Sequence, residues 1–211
     1  MENLKKIFPH LMVLLLFVGI SFVYFSPVLE GKRLDMPDIK HWKGMSKEVV
    51  DFRESTGEEA LWTNSMFSGM PAYQISTKYK ANLIQYVDKV LMLGLPRPAN
   101  MLFLYLLGFY ILLLSLKIDY RLSAVGAIAF AFSSYLFIIL QAGHMTKAHA
   151  IAYVPMVIAA VLYTYRGKML LGGILTALTV ALELYANHLQ ITYYLVLILL
   201  LLALVQFIKD L

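Results

Sequence analysis

The 211-residue chain contains no cysteine, which excludes disulfides and thiolate metal sites and removes any mark of redox compartment. Charge is scarce too. Asp, Glu, Lys and Arg make up 15% of the residues and 60% are hydrophobic, whereas soluble domains carry roughly 25% charged residues. Mean hydropathy is +0.71. No Gly-rich phosphate loop, Walker motif or GxSxG elbow is present, so ATP-driven transport and serine hydrolysis have no support. No HExxH pair, internal repeat or low-complexity tract occurs either. The net charge is +5. Much of that excess lies at the ends of apolar runs, where it orients helices, and it does not point to nucleic acid.

Tryptophan is rare. Both copies, Trp42 and Trp62, fall in the polar stretch from Gly31 to Gln74. That stretch also holds two closely spaced acids, Asp35 and Asp38, and a segment rich in Gly, Pro and Asn.

The remainder reads as an all-α, polytopic membrane helix bundle of about six spans, forming a single membrane domain over residues 1–211. A short basic start precedes Phe8–Leu29, about 20 apolar residues that suffice to cross a hydrocarbon core of about 30 Å. The run is long for a signal sequence, and its small-x-small pattern (Gly19, Ser21) lies inside it, so an uncleaved first span is expected. A loop over 30–99 follows. Ser46 and Gly57 bracket an expected helix over Lys47–Ser55. A second is expected from Lys80 to Leu93, with Leu83, Ile84, Val87, Val90 and Leu91 at helical spacing. Lys80, Gln85, Asp88 and Lys89 are expected on its other side. This helix either lies along the membrane surface or docks on protein. Five further spans are expected at about 100–117, 122–140, 149–165, 169–186 and 189–208, with Pro155 able to break the fourth. Gly126, Gly143 and the Gly172–Gly173 pair suggest close helix packing.

Placing the N-terminus in the cytoplasm puts Lys5, Lys6, Lys117, Arg121, Arg166, Lys168 and Lys209 at inner ends and only Lys147 in a short outer connection. The 30–99 loop is then outside. With it go Asp35, Asp38, His41, Trp62 and Asn64. The second outer connection, QAGHMTKAH, contributes Gln141, His144, Lys147 and His149; the third contributes Glu183, Asn187, His188 and Gln190. Ionisable groups near span ends are costly and hint at function. Glu183 is expected to face a neighbouring helix or a water-filled cavity. A hard divalent ion such as Mg²⁺ or Mn²⁺, shared between a carboxylate and a substrate phosphate, fits these residue types better than an all-protein metal cage.

The chain resembles the N-terminal part of bacterial YfhO-family membrane proteins, within the GT-C superfamily of integral-membrane glycosyltransferases. The likeness rests on Asp38-Ile-Lys-His41, on the block from Lys47 to Ile75 with its WTNSMFSGMPAY string, on Ala142–Lys147 and on Ala186–Tyr194. It covers essentially the whole chain and implies a longer parent protein, with the present residues as its N-terminal fragment. It also implies sugar transfer from a polyprenyl-phosphate-linked donor to a cell-envelope glycan or protein acceptor, among membrane lipids, on the outer face of the bacterial cytoplasmic membrane. An acid in the first outer loop is the expected catalytic residue: Asp38, with Asp35 as helper or substitute. His144, Lys147 and His149 would hold the lipid phosphate. Asn187, His188 and Gln190, with His41 and Asn64, would bind substrate hydroxyls, and Trp62 would stack on a sugar ring. Two other readings stay open: a transporter of lipid or polysaccharide precursors, and a non-enzymatic membrane assembly protein.

Overall fold

Apolar runs of this length become helices because, away from water, every backbone amide and carbonyl must be satisfied within its own segment. In the computed structural model, which describes residues 2–79 and 81–211, ten α-helices account for most of the chain. The first, α1, runs Glu2–Tyr24. It stops short of the expected Leu29 because Pro27 has no amide hydrogen and disfavours helical geometry at Ser26. A short 3-10 helix over Ser26–Glu30 takes over, and Gly31, left-handed at φ 75°, ends it.

The loop contributes α2 (Pro37–Met45), α3 (Lys47–Thr56) and α4 (Ile84–Leu91). It also forms a two-residue antiparallel ladder, β1 (Trp62–Thr63) against β2 (Met70–Pro71). The bracketing of α3 differs in one respect from expectation. Gly57 closes it in the left-handed conformation, but Ser46 is buried, helical and makes no side-chain cap. Its backbone instead carries α2 almost continuously into α3, its amide bonding Trp42 and its carbonyl accepting from Val50. The expected start of the second loop helix, Lys80, lies outside the described residues; the helix itself occupies Ile84–Leu91.

The bundle comprises α1, α5 (Ala99–Ser115), α6 (Tyr120–Ala131), α7 (Ser134–Ala142), α8 (Met145–Tyr165), α9 (Met169–Tyr185) and α10 (Leu189–Asp210). Among the described residues, α1, α8 and α10 are long and apolar enough to cross a membrane. The α6–α7 pair adds a fourth span if its 48° bend is counted within one crossing. The bend falls where a third continuous span was expected. Ser133 takes an extended ψ of 134° there, and the rings of Phe132 and Phe137 fill the corner against Tyr24. Helices α5 and α9 are apolar but have 17 residues each. Pro155 does not break α8, which continues unbroken from Met145 to Tyr165.

Helix α5 is the centre. From Ala99 to Leu106 every residue is buried, so this segment is enclosed on all sides. Missing side chains let its neighbours approach. A Cβ on Gly108 would lie 2.5 Å from the Ala152 carbonyl of α8, and one on Gly126 would lie 2.5 Å from Leu113 of α5. Gly172 of α9 sits against Thr164 of α8 in the same way, while Gly173 faces open space. Helices α1 and α10 lie at the margin with most of their apolar surface open.

Contacts fix which ends lie together. His10 bonds Tyr110 at 2.7 Å and neighbours Tyr120 at one end of the bundle. The loop docks at the other end, where α7 meets α8 and α9 meets α10.

Candidate functional site

The site is assembled at the α7–α8 junction. Gly143 terminates α7 at φ +96°, with the amides of Gly143 and His144 returning to Ile139 and Leu140 carbonyls. This is the glycine-ended helix stop, and it turns His144 outward before α8 begins. Gly143 was expected to serve helix–helix packing. Instead a Cβ there would meet Met36 and Asp38 Cβ atoms at 3.1 and 3.3 Å and the Ile39 amide nitrogen at 3.2 Å. The glycine is the seat of the first turn of α2.

That turn presents Asp38. Met36 is extended and Pro37 occupies the first helical position, where its missing amide costs nothing. Asp38 follows in the first turn, where the helix dipole favours a carboxylate. Its Oδ2 lies 2.7 Å from His144 Nε2, both side chains about half exposed. Asp35 is elsewhere engaged, paired with Lys40 at 2.7 Å on the exposed rim.

Lys147 stands half-buried in the first turn of α8, a turn without acidic residues. A cation at a helix N-terminus is poorly placed unless an anion joins it. His188 completes the group. It opens α10, its Nδ1 is buried, and among the described residues no hydrogen-bond partner reaches that nitrogen. Burial holds its pKa below the ordinary histidine value; its own backbone opposes this, and Lys147 and His144 add to the lowering. The lowering favours the neutral imidazole, and Lys147 and His144 are the charged neighbours that contribute to it. Beside it Asn187 is exposed in the left-handed region at φ 57°.

His149 belongs to a second, more buried constellation. Its Nε2 lies 2.6 Å from Asp88 Oδ1, and the Tyr153 hydroxyl donates to the same oxygen at 2.5 Å. Tyr185 stands edge-on to the His149 ring at 6.2 Å. Asp88 was expected on the water side of its helix. It is 7% exposed. The signal was in the sequence: Asp88 is four residues after Ile84 and three before Leu91, in phase with the packed stripe.

The other expected residues take no part in the Asp38–His144 pair. His41 is exposed. Trp62 lies over Gly69, where any Cβ would be 2.8 Å from its indole nitrogen, and its own ring stays half open. The Asn64 amide donates to Glu48, which also receives Ser65 N–H and the Thr63 hydroxyl. Gln190 donates to the Tyr194 hydroxyl at 2.9 Å on the surface of α10. Glu183 is fully buried, and both carboxylate oxygens accept from Thr192 of α10 at 3.0 Å. It faces a neighbouring helix, the first of its two expected settings. Among the described residues no three His, Asp or Glu side chains gather as a metal site.

No family model, no curated protein and no solved structure matches the chain.

Proposed function

We infer that the protein is a membrane glycosyltransferase-like enzyme that moves a sugar from a polyprenyl-phosphate-linked donor to a cell-envelope acceptor. In this reading α5, α9 and the bent α6–α7 pair count as spans beside α1, α8 and α10, giving six. The N-terminus is cytoplasmic and the 30–99 loop lies outside a bacterial cytoplasmic membrane.

One observation carries the reading: the 2.7 Å contact between Asp38 Oδ2 and His144 Nε2, beside Lys147 and the buried Nδ1 of His188. An acid–imidazole pair beside a half-buried lysine is equipment that transfer from a sugar phosphate can use. The acceptor hydroxyl must lose a proton as it attacks the anomeric carbon. His144 engages one carboxylate oxygen of Asp38, and the other is left for that proton. The bond between the anomeric carbon and the phosphate oxygen breaks, and the electron pair leaves with the polyprenyl phosphate. Lys147, His144 and the amides opening α8 would receive that growing negative charge. Asn187 and His188 would meet substrate hydroxyls in this reading. His149, held by Asp88, supports the loop rather than the phosphate.

The experiment is transfer of radiolabelled sugar from polyprenyl-phosphate donors in membranes carrying the protein or its Asp38→Asn variant. Loss of transfer at unchanged expression supports the assignment. Retained transfer removes Asp38 from the role.

A further inference from the structure

Helix α4 has apolar residues on two faces. One face packs into the bundle through Ile84, Val87 and Leu91, with Asp88 among them. The other carries Leu83, Tyr86 and Val90 at helical spacing, continued by Leu93 just past the helix end. Leu83 is 73% exposed and Val90 71%. Lys89 Nζ sits 5.6 Å from the Tyr86 ring centroid on that side. Two large apolar groups on the open face of the helix and one flanking each end are not explained by packing inside the chain.

The position of α4 identifies what covers them. Asp88 touches both His149 and Tyr153, which lie about 6 and 12 Å along α8 from Met145 at 1.5 Å per residue. Helix α8, at 21 residues, is about 30 Å long, the thickness of a hydrocarbon core. Through Asp88, helix α4 is therefore tied to α8 near one end of a membrane-length segment. That is the depth at which amphipathic helices seat in a bilayer, about 5–10 Å into the boundary of headgroups and acyl chains. Helix α4 packs against α9, which also exposes Leu184. Tyr86 and Lys89 supply the aromatic and cationic anchors that suit that boundary.

We propose that α4 is a lipid-anchoring helix, clamped between the bundle and one leaflet, with Leu83, Tyr86, Val90 and Leu93 inserted among lipid chains. The anchor holds Asp88 over His149 and so fixes the second end of the loop to the junction that carries the Asp38 pair. This proposal does not depend on the transferase reading.

The chain has no cysteine, so a single introduced one takes a nitroxide label without background. Val90→Cys and Leu83→Cys are labelled, with Glu54→Cys on exposed α3 as the aqueous control. Each full chain is placed in vesicles of phosphatidylcholine and phosphatidylglycerol. Oxygen partitions into lipid and a nickel chelate stays in water. The expected result is severalfold lower nickel accessibility and higher oxygen accessibility at 90 and 83 than at 54. Equal nickel access at all three sites overturns the proposal in favour of a water-facing stripe. Labels shielded from both reagents, or spin–spin broadening between copies, overturn it in favour of a protein partner.

Discussion

Asp88 and His149 meet at 2.6 Å across 61 residues of sequence, joining the last helix of the loop to the first turns of α8. Tyr153 shares the same carboxylate oxygen. Together with the Asp38–His144 contact, this places two acid–histidine pairs on one short stretch of chain, His144 to His149. One pair is half open to water and the other is nearly closed off. Their surroundings set different tasks: the open pair is accessible to a substrate, whereas the closed pair latches the loop.

Removing the latch has a predictable cost. Asp88→Ala leaves the His149 imidazole and the Tyr153 hydroxyl without their acceptor in a buried place, a loss of about 1–3 kcal/mol. Asp88→Asn keeps an acceptor oxygen and should lose less. Thermal unfolding of the detergent-solubilised protein measures the stability. Amide hydrogen exchange over 84–91 reads the latch itself, and it should accelerate in the Ala variant. Unchanged exchange would show that α4 is held by its apolar contacts alone.

Two adjacent glycines give a matched pair. A methyl group at Gly172 would run into Thr164, whereas one at Gly173 meets nothing within 4 Å. Gly172→Ala should destabilise by about 1–3 kcal/mol as the α8–α9 crossing is pushed apart. Gly173→Ala should be neutral or slightly stabilising, since alanine favours helix over glycine by up to about 1 kcal/mol. Melting temperatures of the two variants side by side decide it, and equal values would mean that the crossing is loose.

The turn after Trp62 is tied by a single carboxylate. Glu48 receives the Thr63 hydroxyl at 2.6 Å and the amides of Asn64 and Ser65 at 3.0 and 2.8 Å. These bonds, that from Thr63 first, hold its pKa below the ordinary value of 4.5. A depressed carboxylate pKa means that the ionised form is the one favoured in the folded chain. Its contribution is complete above about pH 4.5 and is lost as pH falls through the lower folded value. Exchange protection at Asn64 and Ser65 should therefore persist at pH 6 and fade in acid. Glu48→Gln should abolish the pH dependence.

The bundle was legible from composition, because long apolar runs leave the backbone few alternatives. Its breaks were legible in part. Pro27 announces the end of α1 by its chemistry, but the Phe132–Ser133 bend arises from aromatic packing against α1, which no local pattern records. The short polar connections between apolar runs were legible in the sequence; the contacts among their residues were not. Asp38 finds His144 because Gly143 leaves room for α2, a fact of tertiary docking. Glu48 was equally hidden, since its partners come from a turn whose course depends on the strand pair. Trp62 and Asn64 are chemically able groups, but in the fold one packs over Gly69 and the other bonds Glu48 through its amide.

His188 offers the sharpest test of the pocket. Burial, then Lys147 and His144, set its pKa below 6.5, with its backbone opposing. In the unfolded chain it would bind a proton near 6.5, so the unfolded state takes up more protons below that pH. Stability from this group is present above pH 6.5 and declines as pH falls through the folded value. A bound anion should invert the electrostatics, because a phosphate beside Lys147 compensates the neighbouring cations and stabilises the imidazolium. Nuclear magnetic resonance titration of labelled histidines in detergent should place His188 below 6.5 in buffer without phosphate. Inorganic pyrophosphate should move it upward, and Lys147→Met should raise the starting value and blunt the response. A His188 titration indifferent to both pyrophosphate and Lys147 would mean that the three residues share an address without sharing a ligand. The phosphate role would then have to leave this end of the bundle.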